Sequence, residues 1–393
     1  MNKIELLSPA GDLERLKVTL LYGADAVYIG GKEFSLRANA TNFTVDEIRE
    51  GCDFAHKLGK KVYLTLNMSL HEQDLKKVYD YIKEVVDAHI DAFIVSDYNI
   101  AHYIKENYSV EVHISTQDSI TNKESAKYLK ELGIDRIVLA RELSKEEIKE
   151  IIDYTDIDIE VFIHGAMCTC VSGRCALSNY ITNRDANRGG CAQVCRFVFE
   201  TADNNKFSMA TKDLNMARYI KDLIEIGVHS LKVEGRMRSL YYLATVIGTY
   251  RKIIDDIYNN ELTEEKLLKY EKTLNNVANR ESTSQYFMHE ADETDQYFTG
   301  RQEESNQEYL GLVIGYDKDN ECLILKERNY FKVGDEIEVF TPTKETYTFK
   351  VENIYDEDMN NLEVARHPEQ ILKIKFPKEL DNYSMIRLIK KGE

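Results

Sequence analysis

Five of the chain's seven cysteines fall in one short stretch, as Cys168, Cys170, Cys175, Cys191 and Cys195. They lie in the segments Glu160-Val-Phe-Ile-His-Gly-Ala-Met-Cys168, Ser172-Gly-Arg-Cys175 and Arg188-Gly-Gly-Cys191-Ala-Gln-Val-Cys195-Arg196. Four thiolates converging from one glycine-containing loop suit an iron–sulfur cluster or a closed zinc site. The paired C-x-x-C knuckles of zinc ribbons are absent and the spacing is irregular, which weighs toward iron–sulfur. Five thiols for four positions leave one spare, and on spacing alone Cys168 and Cys170 compete for the same role. Cys52, in a helical pattern, and Cys322, in a strand-like one, read as ordinary buried thiols.

Further polar residues recur where strands should end. Arg37 follows the second strand and Asn67 ends the third. His113, Ser115 and Gln117 belong to the fifth, Arg141-Glu142 follows the sixth and His164 ends the seventh. Lys232, Glu234 and Arg236 lie on or after the eighth. Each has a bland reading, as a hydrogen-bonded core histidine or a rim salt bridge. Together they predict a polar pocket with His113, Gln117, Arg141 and His164 as catalytic candidates. Arg37, Asn67, Lys232, Glu234 and Arg236 are the substrate-binding candidates. Guanidinium and ammonium groups there suit a small carboxylate-bearing substrate, because guanidinium binds carboxylate in a fork. No HExxH helix, G-x-S-x-G elbow, P-loop or G-x-G-x-x-G after a strand occurs.

The elements that must position these groups follow a repeated pattern. A polar helical stretch ends in Gly, and a short β-branched or aromatic run follows, as in YGADAVYIG, LGKKVYLTLN, LGIDRIVLA and IGVHSLKVEG. Glycine suits the left-handed turn just past a helix C-terminus. Thr44 with Glu47, Thr121 with Glu124 and Ser144 with Glu147 have capping-box spacing at helix starts. With the runs at 4–8, 92–96, 111–115 and 159–164, eight strand candidates alternate with helices. That predicts an α/β fold, a (β/α)8 TIM-like barrel. The long connection between the seventh and eighth strands, about 165–228, carries the cysteines, and loops after barrel strands build the active face. Helices are expected over 239–258 and 263–276. Short alternating runs from about Asn306 predict a small C-terminal all-β barrel domain. The boundaries are then 1–300 for the barrel and 301–393 for the β-domain, joined near 300–306.

Bulk composition narrows the setting. The chain has 393 residues, 43% apolar and 30% charged, with a formal net charge of −17. An acidic chain does not coat nucleic acid indiscriminately, because phosphate affinity comes from Lys and Arg, although a local basic groove is compatible with it. No apolar run is long enough for a membrane span, and the N-terminus lacks an export-signal pattern. The expectation is a cytoplasmic protein with no membrane partner.

The stretch from Glu160 to Ser178 resembles the signature of the collagenase-like peptidase family of unassigned type, the peptidase U32 family. LLSPAGDLERL, GADAVYIGG, HISTQ, RIVLARELS and LKVEGRMRS resemble its other blocks, and the C-terminal runs resemble its C-terminal domain. The resemblance covers the whole barrel. Its better-characterised branches are oxygen-independent hydroxylation proteins with a 4Fe–4S cluster. The wording here is most similar to the branch that converts the tRNA wobble uridine to 5-hydroxyuridine with prephenate. The resemblance therefore implies tRNA and prephenate as partners and Cys168, Cys175, Cys191 and Cys195 as ligands, with Cys170 spare. Arg184, Arg188, Arg196 and Lys212 become candidate RNA phosphate contacts. Two alternatives are a peptidase, as the family name says, and a cluster-bearing subunit that needs a homologous partner.

Overall fold

The computed structural model describes residues 3–35, 42–278, 280–297 and 308–389. Eight parallel strands close on themselves: β1 Glu5–Pro9, β2 Ala26–Gly30, β3 Lys61–Leu66, β4 Ala92–Val95, β5 Glu111–Ile114, β6 Arg136–Val138, β7 Asp158–Gly165 and β8 Ser230–Val233. Each pairs with the next, and β8 pairs with both β7 and β1. The helices α1 Leu13–Leu21, α2 Val45–Lys57, α3 Glu72–Val86, α4 Tyr98–Asn107, α5 Lys123–Glu131 and α6 Lys145–Tyr154 alternate with the first seven strands. In the long connection after β7 lie α7 Leu177–Thr182 and α8 Ile220–Glu225, and α9 Leu240–Tyr258 and α10 Glu264–Val277 follow β8. The (β/α)8 barrel expected from the alternation is the fold.

The repeated sequence pattern has a physical counterpart at the strand starts. Asp25, just before β2, accepts the backbone N–H of Leu6 in β1. Asp91 before β4 does the same for Val62 in β3, and Asp135 before β6 for Val112 in β5. At the fourth repeat, His229 Nδ1 takes the Ile159 N–H of β7. Each side chain satisfies a donor that the parallel ladder leaves over at the N-terminal end of a strand. The boxes at Thr44/Glu47 and Ser144/Glu147 both form. The third does not. The cap of α5 is Asn122, one residue later than Thr121, and its side chain accepts from Ser125 N.

Inside the barrel, side chains stack in layers. Leu7, Ala26, Tyr28, Tyr63, Ala92, Ile94 and Val138 form an apolar band, with Phe162 against it. Among and beneath them runs a charged layer. Glu5 accepts from Tyr63 Oη at 2.6 Å, Ser230 Oγ at 2.7 Å and Arg136 at 2.5 Å. Glu160 accepts from Lys232 Nζ at 2.6 Å and from Arg136 at 3.3 Å. Burial alone would raise the Glu160 carboxyl, but Lys232, Arg136 and His113 together hold it below the usual range.

The C-terminal unit is all-β. Among the described residues an eight-stranded sheet pairs antiparallel in the order 346–350, 336–340, 385–388, 309–317, 322–327, 371–375, 354–355 and 361–362, and a second pair joins 331–332 to 364–365. They share one apolar core that includes Val313, Leu323, Phe331, Ile337, Ile374 and Ile386. The segment 300–306, expected as the linker, lies outside the described residues.

Candidate functional site

A cavity of about 240 Å³ sits over the C-terminal ends of the barrel strands. Strand residues Tyr28, Ile94, Val138, Phe162 and Lys232 line it from one side. Asn67, Gln117, Arg141, Glu234 and Arg236 line its walls, and all five clustered cysteines face it from the insertion. Residues scattered over more than 200 positions, from Tyr28 to Arg236, thus share one space because every barrel loop after a strand opens on the same end.

The cations on the wall are held in different ways. Arg236 is buried, and its guanidinium donates to Ser35 Oγ at 3.0 Å, Thr65 Oγ1 at 3.2 Å and Asn42 Oδ1 at 2.6 Å. Gly30 is required beside it, since a Cβ there would run into the Arg236 guanidinium. Lys232 is tethered by Glu160 and lies 4.5 Å from the Tyr28 ring centroid and 5.4 Å from that of Phe162. Arg141 stacks over Phe162 at 5.2 Å and donates from Nη1 to the Ala166 carbonyl at 2.9 Å, while its Nε has no hydrogen-bond partner in the protein. Asn67 Oδ1 and Gln117 Oε1 are likewise buried without a donor. Buried polar atoms in native proteins are nearly always satisfied, so these three call for a bound molecule or water.

The insertion has little regular structure, and side chains hold it in place. Glu142 accepts from Ser172 N at 2.7 Å and Ser172 Oγ at 3.1 Å. Asn187 brackets Cys175 by pairing with its N–H and its carbonyl. Arg174 forms an ion pair with Asp118 at 3.0 Å, and burial raises the Asp118 carboxyl to about 7. Gly165, at φ +105°, ends β7 where a Cβ would collide with the Glu234 carbonyl. Ser172, at φ 48°, and Gln193, at φ 54°, accept left-handed backbone without glycine's freedom. Of these anchors Glu142 alone is legible in the sequence, where it reads as half of a rim salt bridge.

The thiols themselves are unbridged. Burial, followed by a hydrogen bond with Cys175 and the neighbouring thiols, pushes Cys170 up to about 12, and burial followed by Cys168 raises Cys195. Crowded, desolvated thiols of this kind ionise only with a cation to offset them. A tetrahedral zinc site, with Zn–S of roughly 2.3 Å, would set its sulfurs roughly 3.8 Å apart. Among the described residues the one group of three or more possible ligands within 4.8 Å of one another is His289, Asp292 and Asp295, and the thiols are not in it. The donor set is all-sulfur, and no three of the thiols lie within 4.8 Å of one another, so they are not preset for one tetrahedral zinc; an all-thiolate set is also the donor set that an iron–sulfur cluster takes. Cys52 and Cys322 are fully buried elsewhere.

Several expected site residues stand apart from the cavity. His113 is fully buried one layer down, its Nε2 3.2 Å from Glu111 and its ring edge-on to Tyr63. Two residues of strand rise by roughly 7 Å, so Ser115 reaches the cavity and His113 does not. Burial lowers its pKa, against the pull of Glu111. His164 points the other way altogether. Between Phe162 and His164 the β7–β8 register slips by one residue, which reverses the alternation and turns His164 outward onto α9. There it meets Tyr250 Oη at 3.1 Å, and burial drives its pKa down to about 3. Of the phosphate candidates, Arg184 is exposed. Arg188 is committed to Asp74 at 2.7 Å and Lys212 to Glu281 at 2.8 Å, while Arg196 lines the cavity and donates to Gln193. Arg37 lies outside the described residues.

The family model described as peptidase family U32 matches residues 11–297, and that of its C-terminal domain matches residues 305–387. The chain belongs to peptidase family U32. This U32 chain is 44% identical to "tRNA hydroxylation protein P1" of Bacillus subtilis, covering 98% of the chain and 95% of that protein. It is 31% identical to "tRNA hydroxylation protein P" of Escherichia coli, covering 100% and 98%. It is also 32% identical to a protein named "Collagenase" of Porphyromonas gingivalis, covering 90% of each. No helix among the described residues is long and apolar enough to cross a membrane.

Proposed function

We propose that this U32 protein hydroxylates RNA, converting the wobble uridine of tRNA to 5-hydroxyuridine without O2, with prephenate as co-substrate. Cys168, Cys175, Cys191 and Cys195 would hold a 4Fe–4S cluster, with Cys170 spare. The observation that carries the reading is the shared cavity, in which an all-thiol face meets a wall of cations and unsatisfied amides. Full-length similarity to two tRNA hydroxylation proteins supports it.

Turning C5–H into C5–OH removes two electrons and adds one oxygen. Without O2 the two electrons must pass to an acceptor; if prephenate is both acceptor and oxygen donor, the exchange balances as U–H + R–OH → U–OH + R–H, with R–OH its carbinol, and otherwise the oxygen comes from water. The bound cluster would contribute one-electron or Lewis-acid chemistry. The chain's own residues bind and orient. Arg141, with a guanidinium N–H unclaimed by protein, and the tethered Lys232 face the cavity as anchors for a dicarboxylate. Asn67 and Gln117 offer acceptors to a hydroxyl or a base N–H. Peptide hydrolysis finds less support here. With His113 below and His164 behind the barrel wall, no histidine among the described residues lines the cavity, and the one carboxylate among its described lining residues, Glu234, accepts from the Tyr28 hydroxyl at 3.1 Å.

The test is nucleoside mass spectrometry of tRNA from a strain lacking this gene and its homologues. Returning the wild-type gene should restore 5-hydroxyuridine and its derivatives, and a Cys175→Ala gene should not. An unchanged wobble-nucleoside profile in the deletion strain sinks the proposal.

A further inference from the structure

The insertion that carries the thiols also carries an unusual surface. Tyr180, on α7, is 89% exposed, and Val171, Phe197 and Val198 are 60%, 43% and 59% exposed. Leu177 and Ser178, within one helical turn of Tyr180, line the cavity. The charge here runs against that of the molecule. In a chain of net charge −17, residues 165–199 hold four arginines, Arg174, Arg184, Arg188 and Arg196, against one acidic residue, Asp185. Arg174 and Arg188 are paired with Asp118 and Asp74 and hold the insertion to the barrel. Arg184, four residues past Tyr180 and just beyond the left-handed Asn183, is exposed.

We infer that Tyr180 is a stacking platform for an unpaired base of the RNA substrate, with Arg184 taking an adjacent phosphate. This rests on the RNA-hydroxylating reading and adds to it the residues by which the protein would hold the unpaired loop outside the cavity. A tyrosine left almost wholly in water stabilises nothing in the fold, and its ring face suits a base of any sequence. In a duplex the bases already stack on one another, so the ring selects for a splayed loop. Protein interfaces are also rich in Tyr, Phe and Arg; what favours RNA is the excess of arginine over acidic residues in this segment of a chain of net charge −17. Arg184, exposed four residues further along the chain, is the cation nearest to Tyr180 in sequence, and a positive charge suits a polyanion.

The experiment uses full-length protein purified without oxygen and two fluorescent RNAs, a tRNA anticodon stem-loop and a fully paired hairpin of the same length. Wild type should prefer the stem-loop. Tyr180→Ala should weaken stem-loop binding about tenfold and leave hairpin binding unchanged, while Tyr180→Phe stays within about twofold. Arg184→Gln should lower the salt dependence of binding by about one phosphate. Iron content and unfolding midpoint, measured on each variant, should match wild type. If wild type binds neither RNA, the hydroxylase reading itself fails. If it binds the stem-loop and Tyr180→Ala binds equally well, the stacking inference alone is wrong. Loss of self-association in Tyr180→Ala with unchanged RNA affinity would make this face a protein interface and overturn the inference.

Discussion

The same eight strands build two polar regions a few residues apart, and the two are finished differently. In the lower layer, Glu5, Arg136, Glu160 and Lys232 face opposite charges at 2.5–3.3 Å, and Tyr63 and Ser230 add hydrogen bonds. In the cavity above, Asn67 Oδ1, Gln117 Oε1 and Arg141 Nε are buried without protein partners. The lower layer is paired charge for charge, although Arg136 Nε and His113 Nδ1 there also make no hydrogen bond, whereas the residues with unfilled groups above line an open cavity that a ligand can enter. Lys232 belongs to both, since it is bound to Glu160 and lines the cavity. Substitutions in the lower layer should therefore cost stability, and those in the cavity should cost binding.

The largest effect belongs to the thiols. Anaerobically purified wild type should carry about four irons per chain, the content of one four-cysteine cluster. Cys175→Ala or Cys191→Ala should lose it, and Cys170→Ala should keep it. Stoichiometric zinc in place of iron, measured by elemental analysis, would overturn the assignment.

Next comes the lower layer. Removing one partner of a buried ion pair strands the other charge, at a cost of roughly 3–5 kcal/mol. Glu160→Ala strands Lys232 and leaves Arg136 to Glu5 and Asp158, and chemical denaturation should show a loss in that range. A loss below about 1 kcal/mol would mean that water already reaches this layer, and the contrast with the cavity would collapse.

The two histidines show how far the sequence could be read. The repeated Gly and strand runs revealed all eight barrel strands, because each repeat writes its own helix stop and strand start locally. Clustering of the cysteines was equally visible. Depth and facing were not. His113 and His164 both sit at strand ends in sequence, yet one lies a layer too deep and the other faces the helices, through a one-residue slip in β7. A bulge comes from the pairing of two distant segments and leaves no local mark. Arg188 and Lys212 read as free cations because their partners, Asp74 and Glu281, lie far away in sequence.

The outward position of His164 has a consequence in pH. Its folded pKa, about 3, lies below the ordinary value of 6.5, so the folded state excludes a proton that the unfolded chain accepts. The stability it contributes is complete above about pH 6.5 and is lost as pH falls toward 3. Between pH 7 and pH 5 the loss is about 2 kcal/mol, at 1.36 kcal/mol per pH unit below 6.5. His164→Phe should flatten that part of the stability–pH curve. An equally steep curve in the variant would assign the acid sensitivity to other groups.

The smallest effect separates the two regions most cleanly. Arg141 lines the cavity, rests on Phe162 and spends one N–H on the Ala166 carbonyl, while its Nε is buried without a hydrogen-bond partner. A charge-assisted bond from it to a carboxylate is worth roughly 1.5–3 kcal/mol, so Arg141→Ala should weaken prephenate binding at least about tenfold in calorimetry on the anaerobic protein. Arg141→Lys keeps the charge but not the fork, and should recover only part of that affinity. Iron content should be unchanged in both, and stability should fall by no more than the one backbone hydrogen bond, about 1 kcal/mol. If Arg141→Ala instead loses stability on the scale of Glu160→Ala and binds prephenate as wild type does, Arg141 belongs with the structural charges below. The unclaimed Nε would then be no sign of a ligand.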